Sequence, residues 1–285
     1  MIRKSTLPQR EGDISGNNLM GARFGCGDHP PFRRRPGHLR LKSDWTSMIS
    51  PDEWAIYCRA MEALRTAEIP FMLGGGFALA AFTGRWRDTK DIDFYLKPQD
   101  RDAAVKALSS AGFADYYSRL PYDRKWIYRS VQSDVIVDII WSMANQRAQV
   151  DDLWFQRAGS LSLHGQRLLI IPPEEFMWCK LYILQRDHCD WTDIFNLLYA
   201  VGERLDWDHL LMRLEEDAAL VKGVLTVYGW LCPRHFSRLP SSLCHKLQIA
   251  RHAAPRRRPA RNRIRLLDSR NWFAALLPSG KKLEV

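Results

Sequence analysis

Three aspartates and a run of glycines are the residues of this 285-residue chain whose types and spacing suit chemistry. Asp91 and Asp93 flank Ile92 in Asp91-Ile92-Asp93-Phe94-Tyr95-Leu96. In a strand, residues two apart point to the same face, so the two carboxylates project side by side while Ile92 and Phe94 turn to the core. Adjacent carboxylates repel, and each raises the other's pKa unless a cation neutralises them. A hard, oxygen-seeking divalent ion such as Mg²⁺ resolves that repulsion, whereas an isolated Asp-x-Asp is otherwise a solvated strand edge. Asp138 tips the balance. It lies inside Asp134-Val135-Ile136-Val137-Asp138-Ile139-Ile140, where a buried carboxylate is costly unless paired or metal-bound. A salt bridge to an arginine is the alternative for Asp138, and Asp134, at the polar start of that strand, reads as solvated. Three carboxylates on adjacent strands make a cage for two Mg²⁺ ions about 3.5–4 Å apart.

Gly74-Gly75-Gly76 joins the short apolar strand Phe71-Met72-Leu73 to a short helix over Phe77 to Phe82. Unhindered backbone N–H groups and a helix N-terminus at such a junction can hold phosphate. Tight turns also use glycine for purely steric reasons, so the triplet alone says little. The order says more: strand, glycine turn, helix, a basic loop over 84–90, then the Asp-x-Asp strand.

Other elements must position these residues. Ser50-Pro51-Asp52-Glu53 forms a capping box with Pro at the first helical position. Trp54, Tyr57, Met61 and Leu64 then mark one helical face, which ends near Pro70. A helix over 98–112, strands over 125–131 and 134–141, and a hairpin over 161–171 turning at His164-Gly165 complete the first half. After Pro172-Pro173 the pattern is helical, over 174–186, 191–201, 207–216 and 218–231. The predicted fold is α+β, with a mixed sheet followed by a helical C-terminal region. Residues 1–42 read as a disordered basic segment, 43–172 as the α+β domain and 173–232 as the helical region. Residues 233–285 form an Arg/Pro-rich tail, with a docking segment around Trp272, Phe273, Leu276 and Leu277.

A formal net charge of +10 favours a polyanionic partner. Much of it is local, in Arg33-Arg34-Arg35 and in Arg251, Arg256, Arg257, Arg258, Arg261, Arg263 and Arg265. No apolar run approaches the ~20 residues that cross a bilayer, and the first residues lack the apolar stretch of a secretory signal. A soluble cytoplasmic protein with no membrane partner is expected, its six cysteines as free thiols. Cys232, His235, Cys244 and His245 lack the spacing of a zinc knuckle.

Leu73-Gly74-Gly75-Gly76, then Thr89-Lys90-Asp91-Ile92-Asp93-Phe94, then Ile136-Val137-Asp138-Ile139 resembles the nucleotidyltransferase pattern of the DNA polymerase β superfamily. That pattern runs hG[G/S], a spacer, Dh[D/E]h and h[D/E]h. The resemblance implies a polymerase β-like core over 43–172. It implies that Asp91, Asp93 and Asp138 bind two Mg²⁺ ions, that Asp138 helps deprotonate the acceptor hydroxyl, and that Gly74, Gly75 and Gly76 hold the triphosphate of an NTP. Many members carry Ser where Gly75 stands. Downstream, Lys180-Leu181-Tyr182 and Asp190-Trp191-Thr192-Asp193-Ile194 are similar to the K…RDxxDL region of AbiEii-type toxin nucleotidyltransferases. This implies nucleotide-binding roles for Lys180 and Asp190, an RNA acceptor met by the basic tail, and an antitoxin partner. Cys189 stands where that pattern has Arg. On the residues alone, Lys180 can equally snorkel to solvent, and Asp190 can be a helix N-cap. The expected activity is transfer of an NMP from an NTP to a hydroxyl acceptor, an EC 2.7.7-type reaction. Antibiotic-type small-molecule nucleotidyltransferases share the same GG…DID order, and a non-catalytic nucleotide-binding relative would keep the fold without the activity.

Overall fold

The computed structural model describes residues 41, 45–87, 89–250, 263, 266 and 267. The N-terminal segment 1–40 and most of the arginine-rich tail lie outside the described residues. Seven strands form one mixed sheet: β1 (Met72–Leu73), β2 (Asp91–Tyr95), β3 (Ala114–Asp115), β4 (Ile127–Gln132), β5 (Val135–Ile140), β6 (Gly159–Leu163) and β7 (Gln166–Ile170). Their order across the sheet is β3-β4-β5-β2-β1-β7-β6. The helices of the first half are α1 (Pro51–Thr66), α2 (Gly75–Thr83), α3 (Arg101–Ser110) and α4 (Asp152–Arg157). Those that follow are α5 (Pro173–Leu181), α6 (Trp191–Val201), α7 (Trp207–Leu214), α8 (Ala218–Leu231), α9 (Pro233–Phe236) and α10 (Ser241–Lys246). The α+β half and the helical half expected from the sequence are both present. No helix among the described residues is long and apolar enough to cross a membrane.

The period of two in β2 sends Ile92 and Phe94 into the core, where both are fully buried, and leaves Asp91 and Asp93 half-buried on the opposite face. Strand β5 runs parallel to β2 in a register that pairs Asp93 with Asp138. Strand β4 returns antiparallel to β5 and pairs Arg129 with Asp138. The connecting turn is two residues long, Ser133 and Asp134, both at positive φ. A primed turn of this kind matches the twist of the strands it joins. Asp93, Asp138 and Arg129 therefore lie in a row across three strands.

The helical half supplies α5, whose first turn points two acids inward. Glu174 receives the backbone N–H of Asp206 and faces Arg157. Glu175 Oε1 lies 2.5 Å from His209 Nε2 and 3.5 Å from Arg213 Nε. Arg213 also forks onto Asp151 at 2.6 and 2.9 Å. These buried pairs tie α5 and α7 to the chain around α4. The helix expected over 174–186 stops at Leu181. Leu184 pairs with Cys189 in an isolated bridge, and the N–H of Asp190 returns to Ile183 O. That turn carries Asp190 back to Lys180, a contact an uninterrupted helix would not allow.

Candidate active site

The site forms where the glycine turn meets β2. Gly74 N donates to Asp93 O at 2.9 Å, which locks the turn onto the strand. A Cβ on Gly74 would stand 2.2 Å from the Tyr95 ring, and one on Gly75 would stand 1.6 Å from Asp93 Oδ2. Gly75 also has φ +50°, a region costly to residues with a Cβ. The Ser that many nucleotidyltransferases carry at this position would therefore collide with the Asp93 carboxylate here. Gly74 offers no side-chain cap to α2, so the N–H groups of the first turn, from Gly75 on, have no intrahelical acceptor and open beside the acids. Gly75→Ser is expected to lower the melting temperature by at least roughly 2–4 °C, the equivalent of about 1 kcal/mol for the positive φ alone, with the collision adding to it. It should also weaken NTP binding at least tenfold, and a calorimetric titration that finds wild-type affinity would remove the turn from the site.

The three acids differ in their surroundings. Asp91 accepts from Thr89 Oγ1 at 2.6 Å and lies 3.8 Å from Arg129 Nη2. Asp138, 1% exposed, is held by Arg129 through Nε at 2.8 and 3.2 Å and through Nη2 at 2.5 Å. Asp93 has no hydrogen-bond or ion-pair partner for its carboxylate among the described residues. Burial, then the charges of Asp91 and Asp138, push its pKa well above the ordinary aspartate value. Burial also raises Asp138, against the opposing pull of Arg129. The site thus holds one neutralised acid and one acid in need of a cation.

Asp91 and Asp93 suit a hard divalent cation: two oxygen donors on one strand face, one of them unpartnered. Asp138 does not suit a second ion as arranged, because Arg129 already supplies its counter-charge. No three His, Cys, Asp or Glu side chains among the described residues are drawn together as they would be around an ion.

Lys180 and Asp190, both expected to serve nucleotide binding, meet each other. Lys180 Nζ pairs with Asp190 Oδ2 and lies 3.1 Å from Asp193 Oδ2. Burial works against the Lys180 charge, but Asp193 and Asp190 outweigh it and hold the ammonium above its usual range. Lys180 lines the cleft as a neutralised group, and it does not snorkel to solvent. Asp190 occupies the N-cap position of α6 but makes no capping hydrogen bond, its oxygens being taken by Lys180 and by His188 at 2.9 Å. Arg85 and Arg87 of the basic loop also reach α6, Arg85 to Asn196 Oδ1 at 3.2 Å and Arg87 to Asp193 at 2.8 Å. Trp86 between them stacks on Trp45, with centroids 5.2 Å apart. The loop is anchored to the protein.

The acids, Arg129 and Lys180 line a cavity of about 150 Å³ that is completed by an apolar wall of Trp126, Ile127, Ile140, Met143 and Ile183. Arg129, Thr89 and this wall are contributions that motif reading missed. Arg129 had a usable signal, since a two-residue turn at Ser133-Asp134 fixes its register opposite Asp138. The wall comes from separate elements and had none.

A mixed sheet carrying a glycine turn, a same-face acid pair on the next strand and a third acid on the parallel neighbour is a nucleotidyltransferase fold. The family model described as an uncharacterised nucleotidyltransferase matches residues 55–225, more than half of the chain, and the chain belongs to that family. No curated protein matches it. Among solved structures, the antibiotic-resistance factor ANT(2'')-Ia is similar at 15% identity, covering 61% of this chain and 97% of that one, with a TM-score of 0.44. The lincosamide antibiotic adenylyltransferase LnuA, lincomycin-bound, is 16% identical over 52% of this chain and 96% of that one, with a TM-score of 0.38. An antigenic nucleotidyltransferase-like protein from Paracoccidioides brasiliensis is 17% identical over 69% of this chain and 99% of that one, with a TM-score of 0.39.

Proposed function

We propose that this protein transfers a nucleoside monophosphate from an NTP to a hydroxyl acceptor in a reaction that needs a divalent ion, Mg²⁺ in the cell. The observation that carries the reading is Asp93. Its carboxylate has no hydrogen-bond or ion-pair partner among the described residues, lies beside Asp91 and sits against the glycine turn. In the reaction the acceptor oxygen forms a bond to the α-phosphorus, the bond from that phosphorus to the bridging oxygen breaks, and pyrophosphate leaves. The N–H groups at the start of α2 hold the phosphate oxygens. Asp91 and Asp93 are the ion ligands, and a bound divalent ion would supply charge neutralisation for the triphosphate. Asp138, raised above the ordinary aspartate range by burial, takes the proton of the acceptor hydroxyl, a role favoured by a pKa closer to neutral. Lys180 and Asp190 act as a pair that fixes the α5–α6 side of the cleft.

The acceptor is the remaining choice. An RNA acceptor, as in AbiEii-type toxins, and a small hydroxylated molecule make different demands on the arginine-rich tail. The full chain should be incubated with each α-labelled NTP and Mg²⁺, against separate RNA and metabolite pools. Label is expected in one pool with one NTP preferred, and chelation should stop it. A wild-type protein that releases no pyrophosphate and labels neither pool under these conditions would sink the proposed activity. For an RNA acceptor, replacing Arg256, Arg257, Arg258 and Arg261 with Gln should weaken RNA binding and flatten its salt dependence by about 0.7 per lost phosphate contact. An unchanged slope in filter binding across a salt series would leave the tail without a part in RNA recognition.

A further inference from the structure

The charge beside Asp138 comes from the protein itself. Arg129 grips both carboxylate oxygens, with Nη2 2.5 Å from Oδ2. The same Nη2 stands 3.8 Å from Oδ2 of Asp91. One guanidinium nitrogen is thus placed between the Asp91 and Asp138 carboxylates, on the side where an ion shared by the two would have to bind. A Mg²⁺ ion there needs near-octahedral oxygens at about 2.0–2.1 Å, and it would face a guanidinium that keeps its charge throughout the accessible pH range. Two positive centres so close repel strongly inside a protein, where the effective dielectric is low.

The backbone of Arg129 is built into the sheet, which sets where its side chain starts. It lies mid-strand in β4, directly paired with Asp138. Its backbone N–H donates to Tyr122 Oη at 3.0 Å, and the ring of Tyr116 lies 5.9 Å from its guanidinium carbon. Asp93, the neighbour of Asp138 on the other side, has no such partner. The row Arg129–Asp138–Asp93 therefore runs from a fixed cation, through a neutralised acid, to an unpaired one.

The geometry points to a centre in which Arg129 takes the place of the acceptor-side metal ion. One divalent ion is held by Asp91 and Asp93, and the second positive charge is the Arg129 guanidinium, held by Asp138 and facing Asp91. Arg129 is a positioning residue: it acts through Asp138, keeping that carboxylate oriented toward the acceptor hydroxyl while supplying the charge that a second ion would bring. This rests on the nucleotidyl-transfer reading of the site and departs from the two-ion arrangement that the family resemblance implies.

The test is a count of ions. The full chain, saturated with the α,β-methylene analogue of each NTP in turn, is titrated with Mn²⁺, and free Mn²⁺ is followed by electron paramagnetic resonance. The wild-type protein is expected to hold one Mn²⁺ per bound nucleotide. Arg129→Met, which opens the position between Asp91 and Asp138, is expected to hold two, and Arg129→Lys, which keeps a cation there, one. Two ions in the wild-type protein overturn the proposal and leave the nucleotidyl-transfer reading standing. So does a count of one in Arg129→Met when circular dichroism shows it folded. If Arg129→Met does not fold, the wild-type count still decides. Failure of the wild-type protein to take up Mn²⁺ with any analogue would overturn the ion site at Asp91 and Asp93, and the role of Arg129 with it.

Discussion

Asp93→Asn is expected to abolish nucleotidyl transfer and, in the same protein, to raise the melting temperature measured without divalent ions. The two effects share a cause. Asp93 is pressed between the glycine turn and its acidic neighbours with no ion-pair partner among the described residues, and the more distant charges of Lys180 and Arg129 only partly offset the burial. Its pKa in the folded chain is raised from the ordinary 3.8. A folded state that binds a proton more tightly than the unfolded one loses stability as pH rises through the interval between those two pKa values, and does not regain it above. At neutral pH the ionised carboxylate therefore strains the fold, and Asn relieves it, so the melting temperature should rise. Below the ordinary aspartate range the two proteins should melt together. Adding Mn²⁺ reverses the ranking, since a ligand at 100 times its Kd stabilises the wild-type fold by about 2.7 kcal/mol and has lost its site in the variant. Transfer should fall by at least roughly a thousandfold, an effect of ~4 kcal/mol on the barrier. A variant that melts lower than wild type in chelator, or that retains transfer within tenfold, would remove Asp93 from the centre of the site.

The acids were legible in the sequence because each depends on short-range rules. Alternation placed Asp91 and Asp93 on one face, and a carboxylate amid β-branched residues marked Asp138 as buried. The glycine turn was legible for the same reason, though its purpose was only half visible. Phosphate access explains an open backbone, but only the register of β1 against β2 shows that Gly75 must lack a side chain to admit the Asp93 carboxylate. The pairing of Lys180 with Asp190 and Asp193 lay beyond local patterning. Periodicity continued α5 to residue 186, and an uninterrupted helix separates Lys180 from Asp190. The chain instead breaks after Leu181 and turns back, which brings Asp190 and Asp193 to the buried ammonium. Arg85 and Arg87 are exposed loop residues on pattern alone, yet Trp86 anchors between them and both reach α6. What the sequence concealed is mostly ion pairing across elements, where the choice of partner is set by tertiary register.

Asp138→Asn brings that difference to a measurement: burial raises both carboxylates, but removing the charge of Asp138 also strands Arg129, and that loss outweighs the relief and gives the opposite sign from Asp93→Asn. Asn keeps the shape of the side chain but exchanges one oxygen for an NH₂ group. The Arg129 fork, which uses both oxygens, would then meet a donor with a donor and lose its counter-charge. Removing one member of a buried ion pair costs about 3–5 kcal/mol. Arg129 keeps 31% of its side chain exposed, so part of its charge returns to water, and about 2–4 kcal/mol is the expected loss. The melting temperature should fall by roughly 4–16 °C, and transfer should fall with it because the acceptor hydroxyl loses its base. The companion Arg129→Met strands the carboxylate and should also destabilise. In the double variant neither charge remains, so the two losses should combine to less than their sum, giving a coupling within the 0.5–3 kcal/mol seen for residues in direct contact. A simple sum would mean that the pair is not formed in solution. Asp138 would then be free to bind an ion, and the two-ion arrangement of the wider superfamily would be restored for this chain.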